Sequence, residues 1–148
     1  MLHLLKAMLS LHGIYLRGVG KMKLWVDDVR PAPEGYIWCK SVNEAKGCIV
    51  GNENWAVRNY SLATRELEDG NETGFFDRIH IGSLYIPEII DIDHDAGDYA
   101  SDGGDYIRLL DWLEETGRNY PIRIHSMNPV GVQNMRAIIR KNGWKEVF

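Results

Sequence analysis

The chain has 148 residues, 45% of them hydrophobic and 26% charged, with 17 Lys and Arg against 21 Asp and Glu for a formal net charge of −4. That length supports one domain with a hydrophobic core rather than two, and no stretch stays apolar for the roughly 20 residues a membrane span requires. An acidic balance disfavours extended binding along a nucleic-acid backbone, where affinity comes from Lys and Arg, but it permits a small phosphorylated ligand whose charge a metal ion or local donors offset.

Residues 1–21 carry Lys6, Arg17 and Lys21 and no acid, so the rest of the chain is the more acidic part. Met1 to Leu11 is rich in Leu and Met but lacks the basic start and small-residue cleavage site of a secretory signal. It is expected either to pack as an amphipathic helix or to be a non-native extension before a natural start at Met22. The second reading is preferred because the first core strand begins there.

Met22 to Asp28 reads as a short, fully buried strand, and Arg30-Pro31-Ala32-Pro33-Glu34-Gly35 breaks regular structure after it. Tyr36 to Lys40 is a second strand. Ser41 is an N-cap with Glu44 completing a capping box, and Val42, Ala45 and Ile49 follow at helical spacing. Residues 51–85 show poor periodicity and read as an insertion. The strand Glu88 to Asp93 comes next, then a Gly/Asp/Ser-rich loop over 96–104. A helix over 105–116 follows, with Ile107, Leu110 and Leu113 or Trp112 inward and Gly117 as its stop. Pro121 to His125 is a further strand. Asn128-Pro129 is an N-cap with proline at the first helical position, opening a helix whose apolar face is Val132, Met135, Ile138 and Ile139. Trp144 to Phe148 is the last strand. Strands alternating with helices predict a parallel sheet covered on both faces. Cys39 and Cys48 form no CxxC or disulfide framework, so both are expected to be unbridged core thiols in a reducing compartment such as the cytoplasm.

Three polar clusters stand where apolar runs end: Asp27-Asp28-Val29-Arg30, Asp93-His94-Asp95 and His125-Ser126-Met127-Asn128-Pro129. Charged groups at buried strand ends are costly unless they converge on a ligand, and in open α/β sheets that edge is where ligands bind. Asp27, Asp28 and Asp93 could together hold Mg²⁺ or Mn²⁺ through hard oxygen ligands; alternatively one Asp caps a loop or pairs with Arg30. His94 and His125 suit a general base and acid on opposite sides of a phosphate, or are hydrogen-bonded residues at a sheet edge. Ser126, Asn128 and the amides opening the last helix suit a phosphate cradle, although capping explains Asn128 equally well. Arg30 could grip a phosphate or neutralise the acids. Asp91, inside its strand, reads as structural.

The segments VDDVRPAPEGY, IDIDHDAGD and IHSMNPVG together resemble the cyclic-phosphate processing receiver family, a divergent branch of the receiver domains of two-component signalling. The resemblance runs from Met22 to the end of the chain, interrupted by the insertion. It implies a receiver or flavodoxin-like three-layer α/β sandwich with a parallel sheet of about five strands. Asp27-Asp28 match the acidic pair after the first strand, Asp93 the phosphorylatable Asp after the third, and Ser126 the hydroxyl residue after the fourth. The Lys at the end of the fifth strand of signalling receivers has no match, since Lys145 lies at the start of that segment, and two histidines are added.

What the resemblance implies is processing of a cyclic phosphate on a nucleotide, an RNA end or an ADP-ribose derivative. The expected activity is a metal-assisted phosphoesterase. Asp27, Asp28 and Asp93 would hold the metal, His94 and His125 would transfer protons, and Arg30, Ser126 and Asn128 would orient the phosphate. A signalling receiver phosphorylated on Asp93 and a non-catalytic cyclic-phosphate sensor are the alternatives.

Overall fold

The computed structural model describes residues 20–51 and 85–148. The N-terminal extension up to residue 19 and nearly all of the insertion assigned to 51–85 lie outside the described residues. Lys21–Cys48 and Pro87–Phe148 form one compact unit, which carries nearly all of the sheet and the site.

Four strands are described, β1 (Gly20–Val26), β2 (Tyr36–Cys39), β3 (Tyr85–Ile92) and β4 (Ile122–Ile124), in the order β2-β1-β3-β4. This is the flavodoxin-like order as far as its fourth strand. β1 and β2 run parallel with Val26 opposite Cys39, and β3 and β4 run parallel with Ile92 opposite Ile124. The amide of Asp93 donates to the carbonyl of Val26 at 2.9 Å. All four strands therefore finish level, and the polar residues after β1, β3 and β4 leave the sheet at one edge.

Two expectations about the strands need correction. β1 alternates rather than being buried throughout: Met22, Leu24 and Val26 are buried, Lys23 is exposed and Trp25 half-buried. It also begins at Gly20, two residues before Met22. The expected fifth strand is reduced to one parallel bridge, Ile122 with Glu146. The amide of Ile122 donates to the carbonyl of Lys145, and the amide of Val147 to that of Ile122. β4 has only three residues and offers little edge to pair with. The segment is fastened instead by a side chain, Arg136 Nε donating to Glu146 Oε1 at 2.6 Å.

The helices are α1 (residues 42–51), α2 (Ile107–Glu115) and α3 (Pro129–Lys141), with a short 3₁₀ turn at Gly97–Ser101. Ser41 caps α1 by accepting from the Glu44 amide at 3.0 Å. The return half of the capping box falls one residue early, the Glu44 carboxylate accepting from the amide of Lys40 at 2.7 Å. The inner face of α2 is Tyr106, Leu109, Leu110 and Leu113, so Ile107 and Trp112 flank the buried stripe that they were expected to join. α3 opens as expected, with Pro129 first and Asn128 Oδ1 accepting from the Gly131 amide at 3.0 Å. It buries Gly131, Met135 and Ile139 and is tied to α2 by Lys141 and Glu114. The core joins these faces to Leu24, Val26, Ile90, Ile92 and Ile122 of the sheet. No helix among the described residues is long and apolar enough to cross a membrane.

Candidate functional site

The turn after β1 is organised by Asp27, which is 1% exposed. Its Oδ1 accepts from the amides of Val29 at 2.9 Å and Arg30 at 2.7 Å, the local bonding that makes Asp a turn former. Its own amide donates to the Cys39 carbonyl, and its carbonyl accepts from Trp38 Nε1 at 2.6 Å. A buried carboxylate is tolerated only when fully partnered. Oδ2 meets that condition, lying 3.2 Å from Arg30 Nε and 2.9 Å from His125 Nε2.

His125, at the end of β4, is held on three sides. Nδ1 lies 2.5 Å from Asp91 Oδ1, and Nε2 faces Asp27. The ring stacks on Trp25 with centroids 3.9 Å apart and planes 5° from parallel. Trp25 in turn donates from Nε1 to the Arg30 carbonyl at 2.8 Å, linking the stack to the β1 turn. Asp91 and Trp25 are therefore site residues that the sequence reading missed. A signal existed for Asp91: a charge between Ile90 and Ile92 in a buried strand demands a partner across the sheet. It has two, His125 and, at 3.7 Å, the exposed guanidinium of Arg123.

Asp93 follows β3. Its Oδ1 accepts from the His94 amide at 2.7 Å, and its Oδ2 lies 3.3 Å from Arg30 Nη2. Arg30 thus bridges Asp27 and Asp93. The His94 ring lies against the first turn of α3, where Gly131 leaves room for it; a Cβ there would overlap the ring. His94 Nδ1 is 2.9 Å from Asp95 Oδ1, while Asn128 Nδ2 is 3.4 Å from that nitrogen and 3.3 Å from Asp95 Oδ2. The shorter contact assigns the Nδ1 proton to Asp95, so the Asn128 amide donates to the carboxylate. The Asp95 carboxyl is held below the usual carboxylate range, chiefly by the His94 hydrogen bond, with Asn128 adding to it and partial burial opposing.

The remaining residues fall around this centre. Asp28 lies against Gly97, where any side chain would overlap its carboxylate. Asp27, Asp93 and His125 instead each place a ligand atom within 4.8 Å of the others. Two carboxylates and an imidazole form a mixed oxygen and nitrogen donor set that fits a divalent cation such as Mn²⁺ better than Mg²⁺, which favours oxygen alone. Ser126 Oγ accepts from the Asn128 amide at 3.1 Å, so with Gly131 on Asn128 two groups of the expected cradle serve the helix cap. Tyr106, fully buried, donates its hydroxyl to the Lys40 carbonyl at 2.7 Å. Burial first, then the charges of Asp28, Asp27 and Asp93, push that phenol well above its ordinary range, keeping it a donor beneath the acidic corner.

The family model described as "Cyclic-phosphate processing Receiver domain" matches residues 22–141. No curated protein and no solved structure matches the chain.

Proposed function

Because the chain belongs to the cyclic-phosphate processing receiver domain family, we propose that its strand-end site binds a cyclic phosphate and opens the ring by hydrolysis. The observation that carries this reading is the convergence of Asp27, Asp93 and His125 within 4.8 Å, beside the half-exposed guanidinium of Arg30. Asp27 Oδ2, an Asp93 oxygen and His125 Nε2 are the atoms that would hold a divalent cation. Such a cation supplies Lewis acidity to a phosphoryl oxygen. Asp91 accepts the hydrogen bond of the His125 Nδ1–H and so aims Nε2 at the carboxylates, the arrangement that orients metal-binding histidines.

Arg30, which contacts Asp27 and Asp93, would turn from them when the cation is held there and offer its N–H groups to the phosphate. His94 is the candidate general base: with Nδ1–H donated to Asp95, Nε2 carries the lone pair that takes a proton from water. The water oxygen bonds to phosphorus, one ring P–O bond breaks, and the departing oxygen is protonated from solvent to leave a monoester and a hydroxyl. His125, engaged at both nitrogens, serves this scheme by holding rather than by transferring protons.

Purified protein with Mn²⁺ or Mg²⁺ is expected to open at least one of a panel of 2′,3′-cyclic nucleotides, RNA 2′,3′-cyclic ends and cyclic ADP-ribose phosphates. His94→Ala is expected to lower turnover by about 10²–10⁴-fold, the usual share of a general base, with little change in KM. Absence of a monoester product across the panel with either metal overturns the reading, and binding without turnover makes the site a sensor instead.

A further inference from the structure

We infer that Cys39 and Cys48 form a reversible intramolecular disulfide, an oxidisable site joined through the backbone to Asp27. Cys39 ends β2 and is buried; Cys48 lies on α1 and is half-buried; neither is disulfide-bonded. Their sulfurs are 3.8 Å apart, against about 2.05 Å in a disulfide. Closing that difference draws Cys39 and the Cys48 turn of α1 toward one another. The pairing joins a strand end to the helix that follows it, which is why the spacing of the two residues matches no redox motif.

The environment orders the chemistry. The hydrogen bond between the two sulfurs lowers Cys48 to about 7 against the raising effect of its partial burial. The same bond, then burial, pushes the Cys39 thiol far up. Cys48 thus ionises more readily and is the more accessible sulfur, the one that attacks first. With glutathione disulfide as oxidant, Cys48 sulfur bonds to one glutathione sulfur and expels the other as a thiolate. Cys39 sulfur then attacks Cys48 in the mixed disulfide and expels the second glutathione, which takes up the Cys39 proton. Two protein thiols are oxidised and one glutathione disulfide is reduced to two thiols.

The link to the site is short. The Cys39 carbonyl accepts the Asp27 amide at 3.2 Å, and the next carbonyl, Lys40, accepts the Tyr106 hydroxyl. Drawing Cys39 toward α1 alters the anchorage of Asp27 itself.

The test equilibrates the full-length chain with reduced and oxidised glutathione in varied ratio, then reads intact mass, peptide map and the amide NMR resonance of Asp27. The expected oxidised product is monomeric and about 2 Da lighter, the loss of two hydrogens. It should contain a Cys39–Cys48 linked peptide, show a displaced Asp27 resonance and revert fully with dithiothreitol. Cys48→Ser, at a half-buried position, is expected to fold and to show neither the linkage nor the displacement. Two thiols still titratable in excess glutathione disulfide, a persistent glutathione adduct or an intermolecular dimer each overturn the proposal. An Asp27 resonance unmoved in the linked form overturns the coupling. None of these readouts depends on cyclic-phosphate turnover.

Discussion

Asp91 lies inside β3 at 1% exposure, where a carboxylate is retained only if its partners make it worthwhile. Its main partner is His125, and the pair fixes which imidazole nitrogen faces Asp27. Asp91→Asn keeps the shape but replaces an acceptor by an amide that can present either end, so the His125 Nδ1–H loses its assured acceptor. Turnover is expected to fall about 10–100-fold, the usual effect of losing a partner behind a ligating histidine. Imidazole nitrogen NMR should show the His125 Nδ1 resonance shifted, and an unchanged spectrum would remove Asp91 from the site. Gly131 tests the other histidine. Gly131→Ala gains up to about 1 kcal/mol of helix propensity, against roughly 1–3 kcal/mol for overpacking if nothing moved. The side chain that must yield is the mostly buried His94 ring, met at its Cγ and so forced to swing as a whole. The expected outcome is a loss of about 1–2 kcal/mol by denaturant titration with turnover close to that of His94→Ala.

At the scale of elements, the helix caps do double duty. Asn128 caps α3 through Gly131 and also reaches Asp95 beside His94. Asn128→Ala is expected to cost about 1 kcal/mol of stability and to lower turnover by more than that loss explains. The start of α1 is tied to the end of the 3₁₀ turn by Asp102, which accepts from Ser41 Oγ at 2.5 Å and Asn43 Nδ2 at 2.9 Å. The Ser41 bond, then the Asn43 bond, lower the Asp102 carboxyl below its ordinary value. A lowered carboxyl contributes stability that is complete above its unfolded value of about 3.9 and is lost as pH falls through the lower folded value. Urea midpoints measured on going down from about pH 5 should therefore decline less steeply in Asp102→Asn than in the parent, from a lower neutral-pH plateau. Equal slopes would show that Asp102 does not couple to folding.

These elements also show what the sequence makes legible. Caps are local chemistry, so Ser41, Asn128-Pro129 and Gly117 are readable from neighbours along the chain. Parallel strands that finish at one edge follow from three polar clusters that need a common site, whereas the order 2-1-3-4 is set by tertiary packing. The partners of Asp91 and the packing of Gly131 on His94 join residues more than 30 positions apart, and no local pattern encodes such pairs. The weak fifth strand escapes for a related reason: Trp144–Phe148 has strand composition, but the three-residue β4 beside it sets how much of it can pair.

For the molecule as a whole, the question is which cation neutralises the acidic corner of a chain whose net charge is −4. Arg30 already contacts Asp27 Oδ2 and Asp93 Oδ2, two of the oxygens a divalent ion would use. A metal and the guanidinium would therefore compete, and a bound metal would turn Arg30 outward, toward where a phosphate would sit. Binding to the native state alone stabilises by about 2.7 kcal/mol at 100 times Kd, roughly 5–10 °C in Tm for a chain of this size. Mn²⁺ is expected to raise Tm on that scale and Mg²⁺ by less, because one of the three donors is an imidazole. Arg30→Ala should lower Tm without metal, by stripping a buried carboxylate of its partner, yet tighten Mn²⁺ binding by removing the competitor. Asp27→Asn should abolish the Mn²⁺ shift. The opposite pattern, no Mn²⁺ shift in the parent or in Arg30→Ala, would make Arg30 the resident cation and leave phosphate recognition to its outward N–H groups alone.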